Sequence, residues 1–143
     1  MNDLTLSLFL ADDDQDDRML FQEALLNLSY DIVVRTFDNG VDLMGALLEN
    51  EVALPHIIFL DLNMPLMNGI ECLDDIKNEP SLTTIPIVIY SSFIDNEKIA
   101  LLHDKGANRF LQKPNTFPRL QLMLEQVILS IITMNANKNC VAS

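Results

Sequence analysis

The stretch Pro55-His56-Ile57-Ile58-Phe59-Leu60-Asp61 decides the fold. An apolar run from His56 to Leu60 without alternation, closed by a carboxylate, suits a parallel strand buried on both faces. It is expected at the centre of a sheet. Upstream, Leu4, Leu6, Leu8 and Leu10 alternate with Thr5, Ser7 and Phe9 until an acid run begins at Asp12, as a first strand entering a loop would. Downstream, Pro86 introduces a second continuous run, Ile87-Val88-Ile89-Tyr90, followed by Ser91-Ser92. Ile32 to Val34 and Phe110-Leu111 supply two shorter strands, the last just before Lys113-Pro114.

Between these strands the period changes to that of helices. Phe21, Ala24, Leu25 and Leu28 make an amphipathic stripe with Asp14 or Asp16 placed to cap it. Asn39-Gly40 turns the chain into a helix carrying Val41, Met44 and Leu48. Ile70, Leu73 and Ile76 mark a third helix after the turn residues Pro65, Asn68 and Gly69. Asp95 opens a fourth, through Ile99 and Leu102 to a stop at Gly106, and Thr116 with Pro118 opens a fifth to about Met134. Five strands alternating with five helices imply an α/β doubly wound parallel sheet covered on both faces, with the flavodoxin-like order 2-1-3-4-5 as the common solution. One domain over residues 4–134 is expected, with 135–143 as a polar, flexible tail.

Composition bounds the function. The chain has 143 residues, about one domain's worth, with 9 Lys plus Arg against 21 Asp plus Glu, a net charge of −12. Nucleic acid is not expected as a partner, because no broad basic surface can be built from so few cations. Two cysteines, Cys72 and Cys140, are too few for a disulfide scaffold, and a reducing, cytoplasmic setting is expected. No stretch approaches the roughly 20 apolar residues that cross a bilayer, so no membrane partner is expected.

In an open doubly wound sheet, ligands sit beyond the carboxyl ends of the strands where the winding reverses. Asp12-Asp13, Asp61, Ser91 and Lys113 fall at those ends. Carboxylates about 5 Å apart repel by roughly 3 kcal/mol per pair at an effective dielectric near 20, so a cation must be recruited. Hard oxygen donors select Mg²⁺ or Mn²⁺, which leaves the carboxylate at the central strand tip available as a nucleophile. Lys113 can neutralise a phosphoryl oxygen and Ser91 can hydrogen-bond another, so the parts for phosphoryl transfer are present.

The strings Leu10-Ala11-Asp12-Asp13, Leu60-Asp61-Leu62-Asn63-Met64-Pro65 with Gly69, Tyr90-Ser91-Ser92 and Phe110-Leu111-Gln112-Lys113-Pro114 resemble the receiver domain of two-component response regulators. The resemblance spans about Leu4 to Met134. It implies that Asp61 is a phosphoacceptor charged from the phosphohistidine of a sensor histidine kinase or a histidine phosphotransfer protein. It implies Mg²⁺ held by Asp13 and Asp61 with the Asn63 main-chain carbonyl, and by Asp12 through water. Ser91 and Lys113 would hold the phosphoryl oxygens, and Phe110 would be the switch aromatic that follows Ser91 inward. Ser91 stands where threonine is commoner and Phe110 where tyrosine is frequent. A stand-alone receiver is expected, catalysing its own phosphorylation and dephosphorylation and acting on a downstream protein target. A homodimer through the face of the fourth helix, fifth strand and fifth helix is a further expectation, from the apolar Leu122, Leu129 and Ile132 beside the core stripe Leu120, Met123, Leu124, Val127, Ile131 and Met134.

The same residues admit other readings. A receiver-like scaffold that binds partners without phosphorylation is opposed by the intact Asp61 and Lys113. A flavodoxin-like FMN binder is opposed by acid at the switch point. Asp12, Asp14, Asp16 and Glu23 have the spacing of a calcium-binding loop, but Asp17 stands where that loop needs glycine. Asp14, Asp16 and Asp17 read as a solvated helix start, and His56, His103 and Cys72 as structural.

Overall fold

The computed structural model describes the backbone of residues 5–49 and 53–142, with side-chain surroundings to Met134. Leu4, the expected start of the domain, lies outside the described residues. In chain order the elements are β1 (Leu6–Ala11), α1 (Gln15–Leu26), β2 (Ile32–Phe37), α2 (Gly40–Leu47), β3 (Ile57–Leu60), α3 (Gly69–Asn78), β4 (Ile87–Ser91), α4 (Asn96–Asp104), β5 (Arg109–Gln112) and α5 (Phe117–Ala142). The strands form one parallel sheet in the order β2-β1-β3-β4-β5.

The all-apolar strands occupy the middle because both their faces are covered. Phe9, Ala11, Ile58, Leu60, Ile87 and Ile89 pack against Leu43 and Leu47 of α2, Leu73 and Ile76 of α3, and Leu102 of α4. Leu8, Leu10, Ile57, Phe59, Val88 and Tyr90 face Phe21 and Leu25 of α1 and Leu120, Leu124 and Ile131 of α5. Each such side chain contributes roughly 1.5–3 kcal/mol on leaving water. Edge strand β2 shows the opposite pattern, half-buried residues alternating with the exposed Val33 and Arg35. It is also longer than the Ile32–Val34 segment expected, because Thr36 and Phe37 stay paired with Leu10 and Ala11.

Helix starts follow the expected chemistry. Asp14 caps α1 by accepting from the Asp17 N–H at 3.0 Å. Asn68 and Glu71 form a reciprocal capping box on α3, and Asp95 caps α4. Helix α4 ends with Gly106 at φ 108°, the left-handed conformation that glycine accepts at a helix end.

Two expectations about helices are corrected. In α2, Val41 and Leu48 are exposed, and the buried face is Leu43, Met44, Ala46 and Leu47. The helix is apolar nearly all round, so its rotation is set by packing, with Cys72 Sγ of α3 lying 3.8 Å from the Gly40 carbonyl. In α5 the backbone stays helical to Ala142 through the segment expected as a frayed tail, where no Gly or Pro interrupts it. Its core face also includes Ile128, whereas Met134 is exposed and its Sδ lies 2.7 Å from Arg109 Nη2. Cys72 is fully buried, and burial followed by the charges of Asp75 and Glu71 pushes its thiol up to about 12, so it is an inert core residue.

Candidate functional site

Strand register builds the site. Ala11 pairs with Leu60, so Asp12 and Asp61 stand level at adjacent strand tips, joined by the Asp61 N–H donating to the Ala11 carbonyl at 3.0 Å. Leu60 pairs with Ile89, which puts Ser91 at the neighbouring tip one step beyond Asp61. Ser91 pairs with Gln112, and the Lys113 N–H donates to the Ser91 carbonyl at 2.8 Å. Four segments far apart in sequence therefore end on one crevice.

Asp61 is 4% exposed and its two oxygens have separate partners. Oδ1 accepts from the Ser91 hydroxyl at 3.3 Å and the Asn63 N–H at 3.2 Å, while Oδ2 accepts from Lys113 Nζ at 3.1 Å. Asp12 is fully buried. Its Oδ1 accepts from the Asp14 N–H at 3.0 Å, and Arg18 Nη1 donates to its main-chain carbonyl at 2.7 Å. Lys113 Nζ lies 2.8 Å from Asp12 Oδ2, but not along a hydrogen-bonding direction, so Oδ2 is in charge contact with no directed donor. Asp13 is exposed at the rim, and one carboxylate oxygen from each of Asp12, Asp13 and Asp61 lies within 4.8 Å of the others.

The charge distribution follows from burial. Loss of solvation raises the Asp12 carboxyl to about 6, against the opposing pull of Lys113 and the Asp14 N–H. Burial alone would lower the Lys113 ammonium, but its contacts with Asp12, Asp17 and Asp61 outweigh that and hold it above the ordinary lysine range. The ammonium also sits 5.4 Å from the centre of the Tyr90 ring.

A buried carboxylate oxygen without a directed donor, beside two more carboxylates, is a hard-oxygen set that fits a small divalent cation. Asp12, Asp13 and Asp61 are the residues that could hold it. Asn63 is exposed beside Asp61. An open cleft of about 580 Å³ starts at Asp13 and Asn63 and is walled by Met64, Asn68, Ile70 and Lys98, leaving room for a donor molecule next to the carboxylates.

The structure brings Asp12, Asp13, Asp61, Asn63, Ser91 and Lys113 together. Phe110 is set apart, half-buried on β5 beside Ile89 and packed against the core cluster that contains Leu60, Ile87, Ile89 and Leu102. That is the sheet face towards which Ser91, two residues beyond Ile89, also points. The calcium-loop spacing does not close: Asp14 is engaged as a helix cap, and Asp16 and Glu23 are exposed on α1. His56 stands just before the buried β3 but is itself exposed, its Nδ1 accepting from the Ser7 N–H at 2.9 Å. One residue was missed. Asp17, expected as solvated, places Oδ2 2.8 Å from Lys113 Nζ. No local signal marked it, because its partner Lys113 lies 96 positions away.

Comparison with known proteins agrees with this geometry. The family described as the response regulator receiver domain matches residues 8–125. The chemotaxis protein CheY homolog of Campylobacter jejuni is 27% identical over 123 residues, 86% of this chain and 92% of that protein. Response regulator Rcp1 of Synechocystis is 27% identical over 124 residues, 84% of each chain. Among solved structures, the phosphorylated cyanobacterial phytochrome response regulator RcpA has a TM-score of 0.80 at 32% identity, covering 87% of this chain and 91% of that one. The Mn²⁺-bound form of Rcp1 has a TM-score of 0.78 at 26% identity, covering 85% and 91%. With a family match over most of its length and that family's fold, this chain belongs to the receiver domains of two-component response regulators.

Proposed function

We propose that Asp61 is the phosphoacceptor of a phosphorelay and that its phosphorylation switches protein contacts. The observation that carries this reading is the placement of one nearly buried carboxylate between the Lys113 ammonium at 3.1 Å and the Ser91 hydroxyl at 3.3 Å. One Asp61 oxygen attacks the phosphorus of a phosphohistidine on a sensor histidine kinase or histidine phosphotransfer protein. A P–O bond forms as the P–N bond breaks, and its electron pair returns to the imidazole. Lys113 neutralises the phosphoryl oxygens that gain charge and the Ser91 hydroxyl donates to another, which is where preorganised donors lower a barrier. In dephosphorylation, water attacks phosphorus, the acyl-phosphate P–O bond breaks, and inorganic phosphate leaves with the water's protons while Asp61 is restored.

Asp12, Asp13 and Asp61, with the Asn63 main-chain carbonyl, would hold Mg²⁺ or Mn²⁺, and that ion supplies charge neutralisation to the transferring group. Phosphorylation adds about −1.5 to −2 charges. The Ser91 side chain drawn towards them leaves space that Phe110 fills, and the α4–β5–α5 face changes with it. That face, with Leu101, Leu122 and Leu129 exposed, is assigned to a downstream protein target or a second copy of the chain. Domain limits of 4–134, with α5 continuing as helix past that limit, a cytoplasmic setting, and the lack of nucleic-acid or membrane partners belong to the same reading. It is supported by the acidic balance and by the finding that no helix among the described residues is long and apolar enough to cross a membrane.

The test is mass spectrometry after incubation with Mg²⁺ and acetyl phosphate. The wild type gains about 80 Da as one phosphoryl group replaces a proton, and Asp61→Ala gains nothing. An unmodified wild type, from acetyl phosphate and from a phosphorylated histidine phosphotransfer protein alike, overturns the reading in favour of a binding scaffold.

A further inference from the structure

We propose that Asp17 acts through Lys113, competing with the phosphoryl group for its ammonium, and so restrains phosphorylation of Asp61. The inference rests on the reading of Asp61 as phosphoacceptor. Lys113 Nζ is held from three sides, by Asp12 Oδ2 at 2.8 Å, Asp17 Oδ2 at 2.8 Å and Asp61 Oδ2 at 3.1 Å. Two of these anchors lie at the strand tips, where the transferring group must sit. The third belongs to the first turn of α1, outside the crevice, and draws the ammonium away from it.

Asp17 is not needed to locate Lys113. The lysine main chain is tied to Ser91 at 2.8 Å, its ammonium lies against the Tyr90 ring, and the buried Asp12 and Asp61 remain as partners. The Asp17 backbone is itself fixed, because its N–H donates to the capping Asp14 side chain. When Asp61 is phosphorylated, new anionic oxygens need the lysine's charge and donors. Each hydrogen bond that Lys113 keeps with Asp17 is one not made to them, and the Asp17 charge further repels an incoming anion. Asp17 therefore favours the unphosphorylated arrangement, acting through Lys113 rather than on the donor.

The adjacent Asp16 is an internal control. It lies in the same acidic first turn of α1, with the same formal charge, but is exposed and forms no ion pair among the described residues. Any effect of net charge or of the helix dipole is shared by the two positions. Only the lysine contact is particular to Asp17.

The experiment measures initial rates of Asp61 labelling by acetyl phosphate in Mg²⁺ for wild type, Asp17→Asn, Asp17→Ser and Asp16→Asn, with thermal melts to confirm folding. Asp17→Asn and Asp17→Ser label about three- to fivefold faster than wild type, the size expected of a partly exposed ion pair, while Asp16→Asn matches wild type. Unchanged or slower labelling of both Asp17 variants overturns the inference while leaving Asp61 as acceptor. So does an equal acceleration in Asp16→Asn, which would assign the effect to general charge. Absence of labelling in wild type overturns the phosphoacceptor reading and this inference with it.

Discussion

The Ser91 hydroxyl donates to Asp61 Oδ1 across the tips of β4 and β3 at 3.3 Å, and both side chains are buried. The hydroxyl is thus spent on one oxygen of the candidate acceptor before any phosphoryl group arrives. It needs only a χ1 rotation to follow an oxygen added at that point, and serine's single Cβ substituent makes that rotation freer than in threonine.

Ser91→Ala removes this donor without adding bulk. A hydrogen bond to a charged group contributes about 1.5–3 kcal/mol, so the labelling rate with acetyl phosphate should fall roughly tenfold to a hundredfold. Ser91→Thr, which keeps the hydroxyl, should restore most of it. Equal rates in wild type and Ser91→Ala would remove Ser91 from the machinery.

Asp12 gives a pH dependence of definite sign. Its folded carboxyl titrates near 6 and its reference value is 3.8, so between these pH values the folded protein binds more protons than the unfolded one. In the metal-free protein, the stability contribution of the protonated form is complete below about pH 4 and is lost as pH rises to 6. A shift of this size corresponds to roughly 3 kcal/mol. Asp12→Asn should therefore be more stable than wild type at pH 7 without metal by about 1–3 kcal/mol, with the gap closing near pH 4. Millimolar Mg²⁺ should raise the wild-type melting temperature and leave that of Asp12→Asn nearly unchanged. Urea titrations across pH, with and without EDTA, measure both effects.

Gly69 starts α3 against the loop that follows Asp61, its N–H donating to the Leu62 carbonyl at 3.0 Å. A Cβ at this position would overlap the Asp61 carbonyl oxygen and come within 2.8 Å of Leu62 Cα, and backbone cannot swing aside as a side chain can. Gly69→Ala should cost about 1–3 kcal/mol in urea unfolding and slow Asp61 labelling, since the loop that moves carries the acceptor. Labelling at the wild-type rate in a destabilised Gly69→Ala protein would separate the loop from the chemistry.

Much of the strand architecture was legible because local rules act on it directly. Ile57 to Leu60 and Ile87 to Tyr90 are unbroken apolar runs, which only a strand covered on both faces can bury, and the first polar residue after each marks the sheet's carboxyl edge. Asp61 and Ser91 could be placed at one crevice from that alone, once a parallel order was adopted. Helix entries were legible too, since Asp14, Asn39, Asn68 and Asp95 carry side-chain acceptors where backbone donors need them.

What resisted reading depends on rotation and reach. The buried face of α2 followed from its contact with α3, because GVDLMGAL is apolar in nearly every direction. Asp17 looks like any acidic residue in a first turn, and a lysine 96 positions away gives it a role. The amino-acid order alone determined which side chains end the strands, since burial of an apolar run depends on nearest neighbours in the chain. Only tertiary structure decided how Lys113 divides its charge among Asp12, Asp17 and Asp61, because that division depends on distances of a few ångströms between segments the chain holds far apart.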